Sequence, residues 1–232
     1  MKAVTRILFV LFFLSIVFIF KSSDENILSI FKETWIEKSF ILFQYGNSII
    51  FNISIGIFVS IFFYFIVVWF PDRRKKKLLK KNLNKHYLYF KENCLHLFCH
   101  AMNEECNTSL ISKLMLQNEF KIFFKTKISD SQERWDSVLN GLDNQLLYEL
   151  LGELELLKNE IEFINNNITI DDEDVFIFMK NISINIYRLR DINLENDDIK
   201  VLSRFLWQLF SGWSFIDGYK KDDIVQVMIS KI

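Results

Sequence analysis

The chain has 232 residues, half of them hydrophobic, with 25 Phe, one Pro, six Gly and a net charge of −1. So few turn-forming residues exclude Gly- and Pro-punctuated sandwiches and barrels and leave an all-α protein as the expectation. Residues 1–129 carry 18 Lys and Arg against 9 Asp and Glu, whereas residues 130–232 carry 10 against 20; an acidic half of that size argues against direct nucleic-acid binding, because phosphate repels it.

The first apolar run, "ILFVLFFLSIVFIF", extends from Ile7 to Phe20 behind Lys2 and Arg6. No position after it offers small residues both one and three places before a cut, so the run reads as an uncleaved anchor rather than a signal peptide. With Arg6 snorkelling outward, the stretch from Ala3 to Phe20 would make a helix of ~27 Å, against a bilayer core of ~30 Å. The predicted hairpin covers residues 1–70, with spans at about 4–20 and 49–70 and an outer loop at 21–48. In that loop Ile27, Phe31, Trp35 and Leu42 fall near one helical stripe, and Ser22 and Glu25 stand at capping-box spacing. They predict either an amphipathic helix on the outer surface or a plain helical connector, with Trp35 at the interface.

The second run, Ile49 to Phe70, is uncharged. Asn52, Gly56 and Ser60 recur every fourth residue and so share one side of its helix. Small and weakly polar residues let helices in lipid approach closely and hydrogen-bond, so this stripe predicts a helix-association face. Its partner is either the first span or a second copy, and a homo-oligomer through the spans is the expectation. No charge lies inside either run, which argues against a conducting pore.

Pro71 marks the exit, and Arg73, Arg74, Lys75, Lys76, Lys77, Lys80, Lys81 and Lys85 follow within thirteen residues. Such a cluster stays on the cytoplasmic side, so both termini are expected inside, at the cell inner membrane. Residues 71–90 form the predicted basic juxtamembrane segment, with Arg73 to Lys81 contacting anionic lipid headgroups, and 91–232 a multi-helix cytoplasmic domain. Proline suits the first turn of a helix, which predicts a new helix from about Pro71 toward Glu105.

Further helices are predicted in "SDSQERWDSVLNG", capped by Ser129 and Gln132, and in the leucine-rich stretch from Leu142 to Ile164. Others follow behind the acidic residues Asp171 to Asp174, behind Asp197 and Asp198, and at the C-terminus. "EFKIFFK", Glu119 to Lys125, is as readily a strand. The Asp runs lack the spaced ligands and central Gly of a calcium loop.

All three cysteines and two of the three histidines lie in "CLHLFCHAMNEEC". Zinc sites use paired ligands, which are missing here, so Cys99 and Cys106 are expected to pack as small apolar side chains with the histidines at the solvent edge. Cys99, His100 and Cys106 remain the weak metal candidates. No disulfide is expected on the reducing side of the membrane. No phosphate loop, nucleophile elbow or H-E-x-x-H appears, so neither a cofactor nor an enzymatic activity is expected.

Two spans, a basic juxtamembrane stretch and a helical domain resemble, in layout, the two-transmembrane effector subunits of bacterial anti-phage defence systems, including those paired with retrons. The resemblance implies that Asn82 to Ile232 is held by a protein partner until infection, and that the released spans then associate and disrupt the membrane. Two other readings are a non-toxic scaffold that recruits a cytoplasmic complex, and a redox or metal sensor built on Cys99, His100 and Cys106.

Overall fold

The computed structural model describes residues 2–23, 46–214 and 218–232, and the chain divides into two compact units, Met1–Lys75 and Lys76–Ile232. Among the described residues the regular elements are helices apart from two short hairpins. In the first unit, α1 (Lys2–Ser22) and α2 (Asn47–Tyr64) belong to two helical stretches that are long and apolar enough to cross a membrane. The helix expected between Ile27 and Leu42, with Trp35, lies outside the described residues.

The two helices pack on each other. The least exposed positions of α1 include Thr5, Leu8, Phe12, Ser15, Ile19 and Ser22, and those of α2 and the residue after it include Ser54, Phe58, Ile61 and Phe65. Steps of three and four residues keep one seam facing the partner helix over several turns. Aromatic rings fill it: Phe12 stacks on Phe58 at 5.0 Å and Phe9 meets Phe65 at 4.6 Å. Ser15 Oγ donates to the Phe12 carbonyl at 2.7 Å, so this seam hydroxyl is satisfied inside its own helix.

Pro71 does not start a new helix. The backbone stays helical from Asn47 to Ala101, with a π-helical turn over Phe65–Trp69 before α3 (Phe70–Ala101). Proline has no amide hydrogen, and its ring presses on the carbonyl four residues back, here Val67. Widening the preceding turn relieves that clash, and the Phe70 amide bonds back to the Phe65 carbonyl. α3 also stops short of Glu105, at Ala101.

In the second unit, α3 supplies a stripe of fully buried side chains that includes Leu83, Tyr87, Cys94, Leu95 and Phe98. Short helices α4 (Thr108–Leu114) and α5 (Gln117–Lys125) follow. Glu119 to Lys125 is therefore helical, not a strand, because Phe120 and Phe124, both fully buried, lie one turn apart on a single face. β1 (Lys127–Ser129) and β2 (Gln132–Glu133) then form a hairpin, so the cap expected at Ser129 and Gln132 moves. α6 (Arg134–Asn140) starts instead at Glu133, whose amide donates to the Asp136 carboxylate at 3.0 Å.

The long helix α7 (Asn144–Asn167) packs on α8 (Glu173–Leu189), and Leu146 to Ile164 of α7 join the core. The acidic runs act as helix starts: the Asp172 side chain accepts from the Val175 amide at 3.3 Å. Asp197 and Asp198 lie in the first turn of α9 (Asn196–Ser211), where the dipole favours negative charge. A two-residue hairpin, β3 (Trp213–Ser214) with β4 (Gly218–Tyr219), precedes α10 (Ile224–Lys231). Gly141 is a close-approach position: a Cβ there would lie 1.8 Å from the Ala101 carbonyl oxygen. Gly212 has φ +66°, and a Cβ on it would meet the buried Gln117 amide at 2.7 Å.

One polar cluster fastens α10 to this core. Lys91, only 2% exposed, donates to Asp223 Oδ2 at 3.0 Å and to the Met115 carbonyl at 2.9 Å. Tyr87 OH also donates to Asp223, and Asp223 Oδ1 accepts the Val225 and Gln226 amides as the N-cap of α10. Burial first, and then the Asp223 charge, holds the Tyr87 hydroxyl well above its usual range. Farther along, Lys80 Nζ donates to the Ser230 carbonyl. Asp223→Ala would leave a buried ammonium without its counter-charge, and we expect it to cost ~3–5 kcal/mol. Thermal unfolding of the detergent-solubilised chain measures this; a melting temperature equal to that of the unaltered chain would show the cluster to be dispensable.

Candidate functional site

Asn52, Gly56 and Ser60 lie on the exposed side of α2, roughly opposite the seam residues Ser54, Phe58, Ile61 and Phe65. The first span is therefore not the neighbour of this stripe within the chain. A Cβ on Gly56 would meet nothing within 4 Å, and the Asn52 amide has no hydrogen-bond partner among the described residues. The residues that hold the two apolar helices together are a different set, dominated by phenylalanine.

The basic run splits in two. Arg73, Arg74, Lys75, Lys77 and Lys81 are exposed, and the Arg73 guanidinium lies 4.6 Å from the centre of the Trp69 ring. Lys76 and Lys80 are half-buried and already engaged, Lys76 with Asp171 at 3.5 Å and Lys80 with the Ser230 carbonyl. They sit one turn apart, on the face of α3 that continues into Leu83 and Tyr87. Five of the seven expected headgroup contacts are thus open to lipid phosphate, and two serve the second unit.

Cys99 and Cys106 are joined by a disulfide, against the expectation that both would be free. The turn after α3 brings their Cα atoms to 6.0 Å, within the range a disulfide needs. With both sulfurs bonded to each other, neither is a thiolate ligand, and His100 is exposed on its own. Among the described residues no three His, Cys, Asp or Glu side chains converge as a metal site would require. Cys94 is the remaining thiol, buried and pushed well up in pKa first by desolvation and then by Glu153; it is a packing residue.

The second unit carries a groove of about 890 Å³ that the sequence did not announce. Its floor is aromatic, with Trp135, Trp207 and Trp213; its rim is cationic, with Lys125, Lys200 and Arg204. The Trp135 indole donates to Ser203 Oγ at 2.9 Å, which fixes the ring, and Trp207 lies 5.3 Å from it. Lys121 and Lys125 stand over the Tyr219 ring at 4.4 and 5.2 Å. The hydrogen bond to Tyr219 is the main reason the Lys125 ammonium is held above its usual range. Among the described lining residues only Glu133 is acidic, and Lys200 is already paired with Asp197 at 3.1 Å. A concave surface with tilted aromatic rings below and cations above is suited to a partner with carboxylates and an apolar anchor. The one local hint in the sequence was a set of cations, Lys200 and Arg204, inside an otherwise acidic half.

No protein-family model, curated protein or solved structure matches the chain. The functional reading therefore rests on these residues.

Removing the Tyr219 hydroxyl tests the rim. In Tyr219→Phe, Lys125 loses the group that raises its pKa, so its amine should become neutral, and open to acylation, at lower pH. Lysine-selective labelling followed by peptide mapping across a pH series reads this; identical profiles for the two proteins would show that Tyr219 does not tune Lys125.

Proposed function

We propose that the chain is an inner-membrane effector, not an enzyme, with both termini in the cytoplasm. The second unit binds a protein partner there, and the spans act on the bilayer by associating with those of other copies. The observation that carries this reading is the stripe Asn52, Gly56 and Ser60, which no described residue covers. An amide facing hydrocarbon without a partner costs a few kcal/mol, and a neighbouring copy removes that cost by supplying a hydrogen bond. The five exposed cations from Arg73 to Lys81 support the orientation, each worth ~1 kcal/mol beside an anionic leaflet. Defence against phage is the setting that the layout suggests.

Expression of the chain without its genomic neighbours should arrest growth and admit a membrane-impermeant dye. Harmless overexpression with an intact membrane potential would rule out the effector reading. The groove over Trp135 and Trp207 favours a second reading, a scaffold that recruits a partner without toxicity. Lys125→Glu and Arg204→Glu should then reduce the partner recovered from native membranes, while growth is unaffected throughout.

Gly56→Leu isolates the association step. The substitution meets nothing inside the chain, and Leu is favourable in hydrocarbon, so insertion and the α1–α2 seam should survive. Close approach between copies depends on the missing side chain. Crosslinking between copies and dye entry should therefore both fall, on the order of tenfold for a loss of ~1.4 kcal/mol. Ile55→Leu, on an exposed flank away from both faces, is the control. Equal crosslinking yields for all three proteins would mean the stripe has no role in association.

A further inference from the structure

We infer that Cys99–Cys106 is a reversible thiol–disulfide exchange site, opened by a dithiol reductant that attacks the Cys106 sulfur. The inference rests on the proposed cytoplasmic placement of the second unit, because a disulfide on the reducing side of a membrane is seldom a permanent staple.

The backbone brings the two sulfurs together without help from the bond. At the end of α3, Asn103 takes the left-handed conformation, φ 54°. Its amide donates to the His100 carbonyl at 2.9 Å, and the Glu104 amide donates to the Cys99 carbonyl at 3.1 Å. This is the paired 5→2 and 6→1 bonding of a Schellman cap, with asparagine in the position usually held by glycine. Three residues later Asn107 caps α4 by accepting the Leu110 amide at 2.9 Å. Between these caps, Glu104 faces Arg134 at 3.5 Å. The connection from Ala101 to Thr108 is thus shaped at both ends by hydrogen bonds that do not involve sulfur. Reduction leaves those bonds in place and the thiols close enough to reoxidise within one molecule.

The two sulfurs are not equally accessible. Cys99 is 3% exposed, while Cys106 is half-buried. An incoming thiolate therefore reaches Cys106. The bond from Cys106 to Cys99 breaks, and its electron pair leaves on the Cys99 sulfur, which takes a proton. The second thiol of the reductant then attacks the mixed disulfide, releasing the Cys106 thiolate and leaving the reductant as its own disulfide. Two electrons pass from the dithiol to the protein. A disulfide-bearing oxidant of the same class runs the sequence backwards. Cys94 does not interfere, since it is fully buried and its thiol is held well above its usual range, mainly by burial.

Acid-trapping of cells that express the full chain, followed by differential alkylation and peptide mapping, tests the site. During reducing growth Cys99 and Cys106 should be free thiols. After an oxidant pulse they should be joined, and they should reopen when the pulse ends. With the solubilised chain, glutathione should leave its adduct on Cys106 and not on Cys99. The Asn103 and Glu104 amides, held by the cap, should keep the same hydrogen-exchange protection in the reduced form, as should the core of α3. A bond that resists dithiothreitol while the fold is intact, or an adduct on Cys99, would overturn the exchange site. Labelling of Cys106 in intact cells by an impermeant maleimide, after an external reductant, would overturn instead the placement on which it rests.

Discussion

A lysine in the middle of an apolar helix stripe must find an acid or lose its charge, and Lys91 finds Asp223. The attraction works in a region of low dielectric, where the pair is worth more than on a surface but where either charge alone is very costly. That asymmetry makes the contact a determinant of geometry. Asp223 also caps α10 and accepts the Tyr87 hydroxyl, so the start of the last helix is tied to one point on α3. The Lys91 ammonium takes the Met115 carbonyl as well, which fixes the end of α4 to the same point. Apolar burial supplies most of the stability of the second unit, yet apolar contacts permit sliding. The buried ion pair selects one arrangement among those that bury similar area.

The first unit is organised on different physics. Every face of these two helices is apolar, so in lipid, where the proposal places them, hydrophobic burial would not choose which side faces the partner helix. Fit chooses instead, and the rings of Phe12, Phe58 and Phe65 interlock where Ser15 and Ser54 give them room. Small residues therefore occur on two faces of α2. Ser54 belongs to the seam inside the chain, and Asn52, Gly56 and Ser60 belong to the side left open.

That difference marks what the sequence made legible. The two spans and the helix content followed from the run lengths and the scarcity of Gly and Pro. The helix starts at Asp172, and at Asp197 and Asp198, were readable because capping and dipole effects act within one turn. The seam was not, because periodicity in hydrophobicity vanishes when every position is apolar. Pro71 misled for a related reason: the rule that proline opens helices is local, and here the turn before it widened. The partner of Lys91 lies 132 residues away, and no local pattern encodes such a pair, although a lysine in register with Tyr87 and Phe98 already signals a buried charge. The groove combines α5, α6, α9 and the second hairpin, so its residues are neighbours only after folding.

Cys99–Cys106 and the basic run argue for opposite compartments, and the proposed topology reconciles them through the order of events. On the proposed topology, orientation would be set as the spans insert, when eight cations within thirteen residues must stay or cross. Each charge moved against the potential costs ~2.3 kcal/mol per 100 mV, before any attraction to the anionic leaflet is counted. The Schellman cap that positions Cys99 and Cys106 needs a folded α3, so on that topology the bond would close after the spans have inserted. A cross-link that forms late does not pull a domain across a membrane. On the proposed topology it would report on the redox poise of the cytoplasmic side, and a site able to open and close is the form of disulfide compatible with that side.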